Sequence, residues 1–147
     1  MYTCLIVYIL NFSLSIQKPN IFIVQEDDNI NTILAGIFWL KGLNPFKFTD
    51  GTECLKGFRE MHGKIDSVVT SNKIALDNDL MLIANIKRIN PTTKVLVIAD
   101  EESGKRKILE YGADEFALIP LSPVDILHKI ILMISKGRLI EDQSDLI

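Results

Sequence analysis

The chain has 147 residues, of which 48% are apolar and 24% are charged, and its formal net charge is −3. This length is typical of a single globular domain with a core of its own. The acidic balance argues against direct nucleic-acid binding, because a phosphate-binding surface usually carries a basic excess.

The two cysteines, Cys4 and Cys54, and the two histidines, His62 and His128, do not cluster in the sequence. They have neither a CxxC spacing nor the grouped ligands that zinc sites use. Reduced thiols and a cytoplasmic location are therefore expected.

Residues 1–18 form an apolar N-terminal extension. No basic residue precedes its apolar run and no small-residue cleavage site follows, so the pattern is not typical of a signal peptide. The run is also too short and too interrupted by polar residues to cross a bilayer, so no membrane span is expected. A packed extra strand or helix is the preferred interpretation; a weak anchor or a misassigned start stays open.

The first predicted strand, residues 21–25, ends at Gln25 and is followed by Glu26, Asp27 and Asp28. Ligands of open parallel sheets gather at the carboxyl ends of the strands, and three carboxylates there suit a divalent cation. The same acids can instead cap the next helix by accepting hydrogen bonds from its first backbone N–H groups. This stretch alone leaves both interpretations open.

Hydrophobic periodicity predicts five strands, at residues 21–25, 45–49, 66–70, 94–99 and 116–119. It also predicts helices at residues 29–41, 52–61, 79–89, 104–111 and 123–136. Gly137 is predicted to end the last helix, which leaves residues 138–147 as a tail or linker stub. The alternation predicts a flavodoxin-like α/β fold with a (βα)5 doubly wound parallel sheet. Pro45 confines the second strand to an edge, which fits the strand order 2-1-3-4-5.

Short landmarks recur in a fixed order along residues 19–137. They are Ile21-Phe22-Ile23-Val24 before the acids, Gly42, Asp50-Gly51, Asp66-Ser67-Val68-Val69-Thr70-Ser71, Gly112-Ala113-Asp114-Glu115-Phe116, and Pro120. In this order they resemble the receiver domain of bacterial response regulators, and the resemblance covers about residues 20–136. It implies that residues 19–137 are a receiver-like domain of the two-component or phosphorelay type.

Receiver domains transfer a phosphoryl group to an aspartate, and the resemblance assigns five positions of this chain to that chemistry. Gln25 and Glu26 stand where two acids help to hold Mg²⁺, and Ser71 stands where the acceptor aspartate is expected. Ala99 and Ile119 replace the hydroxyl residue and the lysine that bind the phosphoryl oxygens. Only Glu26 retains suitable chemistry. The resemblance therefore implies a degenerate receiver that is not an enzyme, with Mg²⁺ binding lost and no other cofactor.

Two other functions stay open at this point. One is a receiver with residual phosphoacceptor or Mg²⁺-binding activity, using Ser71 with Glu26 and Asp27, and with Lys73 nearby. The other is binding of a small ligand, although no glycine-rich phosphate loop follows the first strand.

Receivers usually signal through the face that their fourth helix, fifth strand and fifth helix form. The resemblance thus implies a protein partner, or a homodimer, and a contact face of Lys105, Arg106, Glu110, Phe116, His128 and Lys129. Phe116 holds the position of the switch aromatic and is predicted to turn inward beside Ala99, which would fix an active-like surface. A core aromatic without a switching role is the other interpretation. Pro120 is a candidate cis-proline.

The first and last helices carry more apolar residues than one buried face needs. Trp39 and Leu40 occupy positions that receivers usually fill with polar residues. In the last helix, Val124, Leu127, Ile131 and Ile134 are predicted to face inward, with Ile126, Ile130 and Met133 beside them. An exposed apolar patch would need a cover, and either residues 1–18 or a second copy of the chain would provide it.

Overall fold

The structure, a computed structural model, describes the backbone of residues 18–145 and the side chains of residues 18–136. Its strands are β1 Asn20–Val24, β2 Asn44–Phe48, β3 Ser67–Ser71, β4 Lys94–Ala99 and β5 Glu115–Leu118. Its helices are α1 Asp28–Leu40, α2 Gly51–Glu60, the short α3 Asn72–Ala75, α4 Leu82–Ile89, α5 Lys105–Glu110 and α6 Pro123–Asp145. None of the helices in residues 18–145 combines the length and the apolar composition that crossing a membrane requires.

The five strands form one parallel sheet in the order β2-β1-β3-β4-β5. The predicted fold class is therefore confirmed. Pro45 lies opposite Ile21 in the edge strand β2, where its missing N–H leaves no gap in the interior of the sheet. In register, Val24 lies between Phe48 and Thr70, so three neighbouring strands end at the same level.

Alternate strand residues feed two core layers, one on each face of the sheet. One layer packs Phe22, Val68 and Val97 against α2, α4 and α5. The other packs Ile23, Val69 and Leu96 against α1 and α6.

The Phe22 ring is the centre of the first layer. It is almost fully buried and lies 4.7 to 6.2 Å, between ring centroids, from Phe46, Phe48 and Phe58. Burial of a side chain of this size contributes about 3 kcal/mol to folding.

Side-chain caps begin four of the helices; the cap of α3 by Ser71 belongs to the site described below. The Asp27 Oδ1 atom accepts a hydrogen bond from the Asn29 N–H at 2.9 Å, and Asp50 Oδ1 accepts one from the Glu53 N–H at 2.8 Å. Ser122 Oγ accepts one from the Asp125 N–H at 3.1 Å. The helix-cap interpretation of the acid cluster is thus confirmed for Asp27.

Two predicted helix boundaries were wrong, and one short helix was not predicted. The helix predicted at residues 79–89 begins at Leu82, because Met81 has a left-handed backbone (φ 49°) that an α-helix cannot contain. The loop predicted after Ser71 contains α3. The last helix does not end at Gly137 but runs to Asp145, since glycine inside a helix costs only about 1 kcal/mol and no proline follows.

The predicted inward stripe of the last helix was also wrong in part. Val124 and Ile131 are exposed, whereas the buried face consists of Ile126, Leu127, Ile130, Met133 and Ile134. Because the helix is apolar on nearly every side, periodicity could not choose between the two orientations.

Trp39 and Leu40 form an exposed apolar patch at the end of α1, as the sequence indicated, with 58% and 80% of their surfaces accessible. The Lys18 ammonium lies 4.7 Å from the centre of the Trp39 ring, a cation–π contact. The predicted cover by residues 1–18 falls, except for Lys18, outside the described residues, and a homodimer stays a prediction.

Candidate functional site

The five positions assigned to receiver chemistry lie together at the carboxyl edge of the sheet. Gln25 and Glu26 follow β1, Ser71 ends β3, Ala99 ends β4, and Ile119 follows β5. All five line one cavity of about 350 Å³ between the sheet, α1 and α6. The parallel topology explains this, because the carboxyl ends of parallel strands share one edge.

Ser71 and Glu26 are joined by a short hydrogen bond. The Ser71 hydroxyl donates to Glu26 Oε1 at 2.6 Å, and the Ser71 Oγ atom in turn accepts from the Ile74 N–H at 3.3 Å. The second bond caps the short helix α3. The Ser71 hydroxyl therefore both binds the Glu26 carboxylate and caps α3. Glu26 is the one acid that matches the receiver pattern.

Gln25 is buried, with 7% of its surface accessible, and its backbone is fixed from two sides. Its N–H donates to the Phe48 carbonyl at 3.2 Å, and its carbonyl accepts from Asn31 Nδ2 at 3.1 Å. Its side-chain amide lines the cavity and makes no hydrogen bond with any residue of the described part of the chain. The amide atoms keep some accessible surface in the cavity, so they can meet a ligand or water there; the fully buried side-chain atoms without a partner among the described residues are Asn31 Oδ1 and Ser67 Oγ.

Ala99 and Ile119 bring only aliphatic carbon to the positions where a receiver places a hydroxyl and an ammonium. Much of the remaining cavity wall is also apolar. Its other apolar residues are Ile30, Ile33, Leu34, Ile98, Leu121, Pro123 and Ile126. The Ile119–Pro120 peptide bond is cis, at the position where the resemblance places a cis-proline.

Asn72 and Asp100 also line the cavity, and the sequence analysis missed both. Asn72 Nδ2 donates to Asp100 Oδ1 at 3.0 Å, which links the residues that follow β3 and β4. Their position directly after two predicted strands was the available signal, because polar residues there face the same edge.

Each of the three acids after β1 interacts with a different group. Glu26 accepts from Ser71, Asp27 caps α1, and Asp28 lies 3.9 Å from the Lys47 ammonium at an exposed ion pair. Within the described residues, no three His, Cys, Asp or Glu side chains are grouped closely enough to hold a metal ion. The expectation that Mg²⁺ binding is lost stays a prediction.

The predicted contact face is organised around β5. Lys105 on α5 lies 5.9 Å from the centre of the Phe116 ring, and Lys129 on α6 pairs with Glu115 at 2.7 Å. Arg106 and Glu110 form an exposed pair at 3.2 Å along α5. His128 is exposed on α6. These residues join α5, β5 and α6 into one surface, called below the α5–β5–α6 face.

Phe116 is half-buried and packs against the core layer that contains Phe22. Its ring is therefore not turned out into solvent. Whether this position fixes an active-like surface, or serves packing alone, stays a prediction.

No protein-family model matches the sequence, and no curated protein matches it either. Similar solved structures include a response regulator receiver domain protein from Clostridium thermocellum, 22% identical with a TM-score of 0.72, over 83% of this chain and 98% of that one. A CheY-like receiver domain protein from Methanospirillum hungatei JF-1 is 19% identical with a TM-score of 0.70, over 82% and 97%. NtrX from Brucella abortus is 19% identical with a TM-score of 0.75, over 88% of this chain and 29% of NtrX. At these identities the likeness establishes the fold.

Proposed function

We propose that this chain is a pseudo-receiver, a signalling module of the two-component type that binds a protein partner without being phosphorylated. The observation that carries the proposal is the composition of the carboxyl edge. Ser71 replaces the acceptor and is bound to Glu26 at 2.6 Å, while Ala99 and Ile119 offer no polar atom to a phosphoryl group. Phosphoryl transfer needs donors and cations that neutralise the developing charge, and these positions do not supply them.

The surface proposed for the partner is the α5–β5–α6 face. Arg106 is 94% exposed at its side chain, and Lys105, Glu110 and His128 are exposed beside or across from it. Exposed pairs such as Arg106 with Glu110 contribute little to folding, so their charges remain available to steer a partner. The location follows the resemblance to receivers; the exposure of the charges supports it.

Phosphorylation is tested by incubating the full chain with acetyl phosphate and Mg²⁺ and measuring its intact mass. We expect no phosphoryl adduct, and no saturable binding of beryllofluoride by calorimetry. A known active receiver serves as the positive control in the same buffer. Stoichiometric phosphorylation or beryllofluoride binding would overturn the proposal.

A second candidate, residual phosphoacceptor activity at Ser71, is favoured by one observation. The Glu26 carboxylate already accepts the Ser71 proton in a hydrogen bond, which is the geometry of a general base beside a hydroxyl. Lys73 lines the same cavity and would attract a phosphate. In the acetyl phosphate experiment, an adduct on the wild type that Ser71→Ala abolishes would establish this candidate.

Partner binding is tested with charge reversal on and off the proposed face. A tagged full chain captures proteins from native lysate, and quantitative mass spectrometry compares the wild type with Arg106→Glu and Lys56→Glu. Lys56 is exposed on α2, on another surface of the domain. We expect Arg106→Glu to lose at least one protein that Lys56→Glu retains. Equal capture by both variants would contradict the assignment of the face.

A further inference from the structure

The cavity at the carboxyl edge has the size and character of a small-molecule site. Its volume of about 350 Å³ lies within the range of roughly 300 to 1,000 Å³ that ligand pockets occupy. Three of its lining residues, Ile30, Ile33 and Ile119, leave 45%, 55% and 48% of their surfaces accessible. Exposed isoleucines around one opening form an apolar surface, and its burial by a ligand would be energetically favourable.

Gln25 adds a specific polar group to this apolar cavity. Along β1, Ile21 and Ile23 point into the core layer beneath α1 and α6, and strand alternation places Gln25 on the same side. Gln25 as a residue is 93% buried and lines the cavity, and its amide atoms, which keep some accessible surface there, make no hydrogen bond in the described part of the chain. An amide both donates and accepts, so a ligand with a carbonyl, hydroxyl or N–H group would satisfy it.

The charges at the rim decide against an anionic ligand. Among the residues whose side chains are described, Glu26 and Asp100 accept hydrogen bonds only from neutral groups, Ser71 and Asn72, so neither carboxylate is paired with a cation from that part of the chain. Lys73 is the one basic residue among the described residues that line the cavity, and it is exposed to solvent. Two carboxylates against one solvated ammonium leave the rim negative, which disfavours a phosphate or carboxylate head group.

We propose that this cavity binds a small neutral amphipathic molecule. Its aromatic or branched aliphatic body lies among the isoleucines of α1 and α6, and its hydrogen-bonding group meets the Gln25 amide. This inference does not depend on the proposed function, because a module that binds a protein through the α5–β5–α6 face could carry this ligand or lack it.

Two fluorescent probes that differ by one charge test the proposal on the full chain. N-phenyl-1-naphthylamine is neutral and carries an N–H group, and 1-anilinonaphthalene-8-sulfonate is the same molecule with a sulfonate. We expect the neutral probe to give a saturable rise in fluorescence at one site per chain and the sulfonate to bind about tenfold more weakly. No saturable binding of the neutral probe, or tighter binding of the sulfonate, would overturn the proposal.

Variants locate the site. Ile33→Asp places a carboxylate at the mouth and is expected to weaken the neutral probe about tenfold; Gln25→Met removes the hydrogen-bonding group and is expected to weaken it about fivefold. Leu132→Asp is the matched control, because Leu132 is 57% exposed on α6 and does not line the cavity. Circular dichroism verifies that each variant is folded. Unchanged binding in both site variants, or an equal loss in Leu132→Asp, would place the probe elsewhere and refute the assignment.

Discussion

The two ends of the β-sheet differ in how they treat most polar groups, although Ser67 Oγ at the amino end is also buried without a hydrogen-bond partner among the described residues. At the amino end, the Asn20 N–H donates to Asp66 at 2.8 Å, and the Thr93 hydroxyl donates to the Ile65 carbonyl at 2.7 Å. Asp114 accepts from the Val95 N–H at 2.7 Å. At the carboxyl end, the Gln25 amide has no partner among the described residues and faces an apolar cavity.

This difference reflects the different tasks of the two ends. The amino end only has to close loops onto the strands, and its hydrogen bonds stabilise the fold. The carboxyl end is where open α/β sheets place their ligands, and a group kept ready for a ligand cannot be satisfied by the protein itself. Polar substitutions at the two ends should therefore change stability by different amounts and in different directions.

The largest effect is expected at the amino end, for Asp114→Ala. Asp114 accepts both the Val95 N–H and the Lys87 ammonium, each at 2.7 Å, and the substitution leaves both donors without that partner. We expect the free energy of unfolding to fall by about 3 kcal/mol, measured by urea denaturation.

Glu110→Ala is the control for Asp114→Ala. Its pair with Arg106 is exposed on both sides, so its removal should change stability by less than about 0.5 kcal/mol. Similar losses in the two variants would mean that the amino end is not the more tightly bonded region.

The sequence predicted the sheet better than it predicted the carboxyl end. The strands were found because β4 and its neighbours are short, continuously apolar runs between turn residues, a pattern that burial on both faces requires. The edge position of β2 followed from Pro45, because a residue without a backbone N–H cannot donate a hydrogen bond to a neighbouring strand. Such features depend only on residues that are close together in the sequence.

The cavity could not be predicted in this way. Ile30 and Ile33 occur at helical spacing with Leu34, and the same spacing describes a buried stripe and a cavity mouth equally well. The hydrogen bond of Ser71 with Glu26 joins residues 45 positions apart, so it depends on the packing of β1 against β3. The left-handed Met81 gave no signal, because methionine has no preference for that backbone.

A medium effect is expected for Cys54, on the opposite side of the sheet from the cavity. Burial, together with the nearby Asp50 carboxylate, raises the pKa of this thiol to about 12. An unfolded thiol ionises above about pH 9, whereas the folded one stays protonated, so this contribution to stability is complete below about pH 9 and is lost as the pH rises towards about 12.

The measurement for Cys54 compares the wild type with Cys54→Ala. Between about pH 8 and about pH 10, the free energy of unfolding of the wild type should fall by about 1 kcal/mol more than that of the variant. A parallel decline of the two proteins would show that the thiol is reached by water. The α2 side of the sheet would then be as open to water as the cavity side.

The smallest expected change in stability is that of Gln25→Met. It separates the two ends of the sheet most clearly, because this substitution should raise the free energy of unfolding instead of lowering it. Gln25→Met keeps the length of the side chain and replaces an amide that bonds to no described residue by apolar atoms beside the apolar cavity wall, so the free energy of unfolding should rise by about 0.5 kcal/mol without ligand. Ser71→Ala at the same edge removes a hydroxyl that is bonded to Glu26 and caps α3, so it should fall by about 1 kcal/mol. If both variants lose stability alike, the Gln25 amide is already satisfied, for instance by water. The carboxyl end would then resemble the amino end.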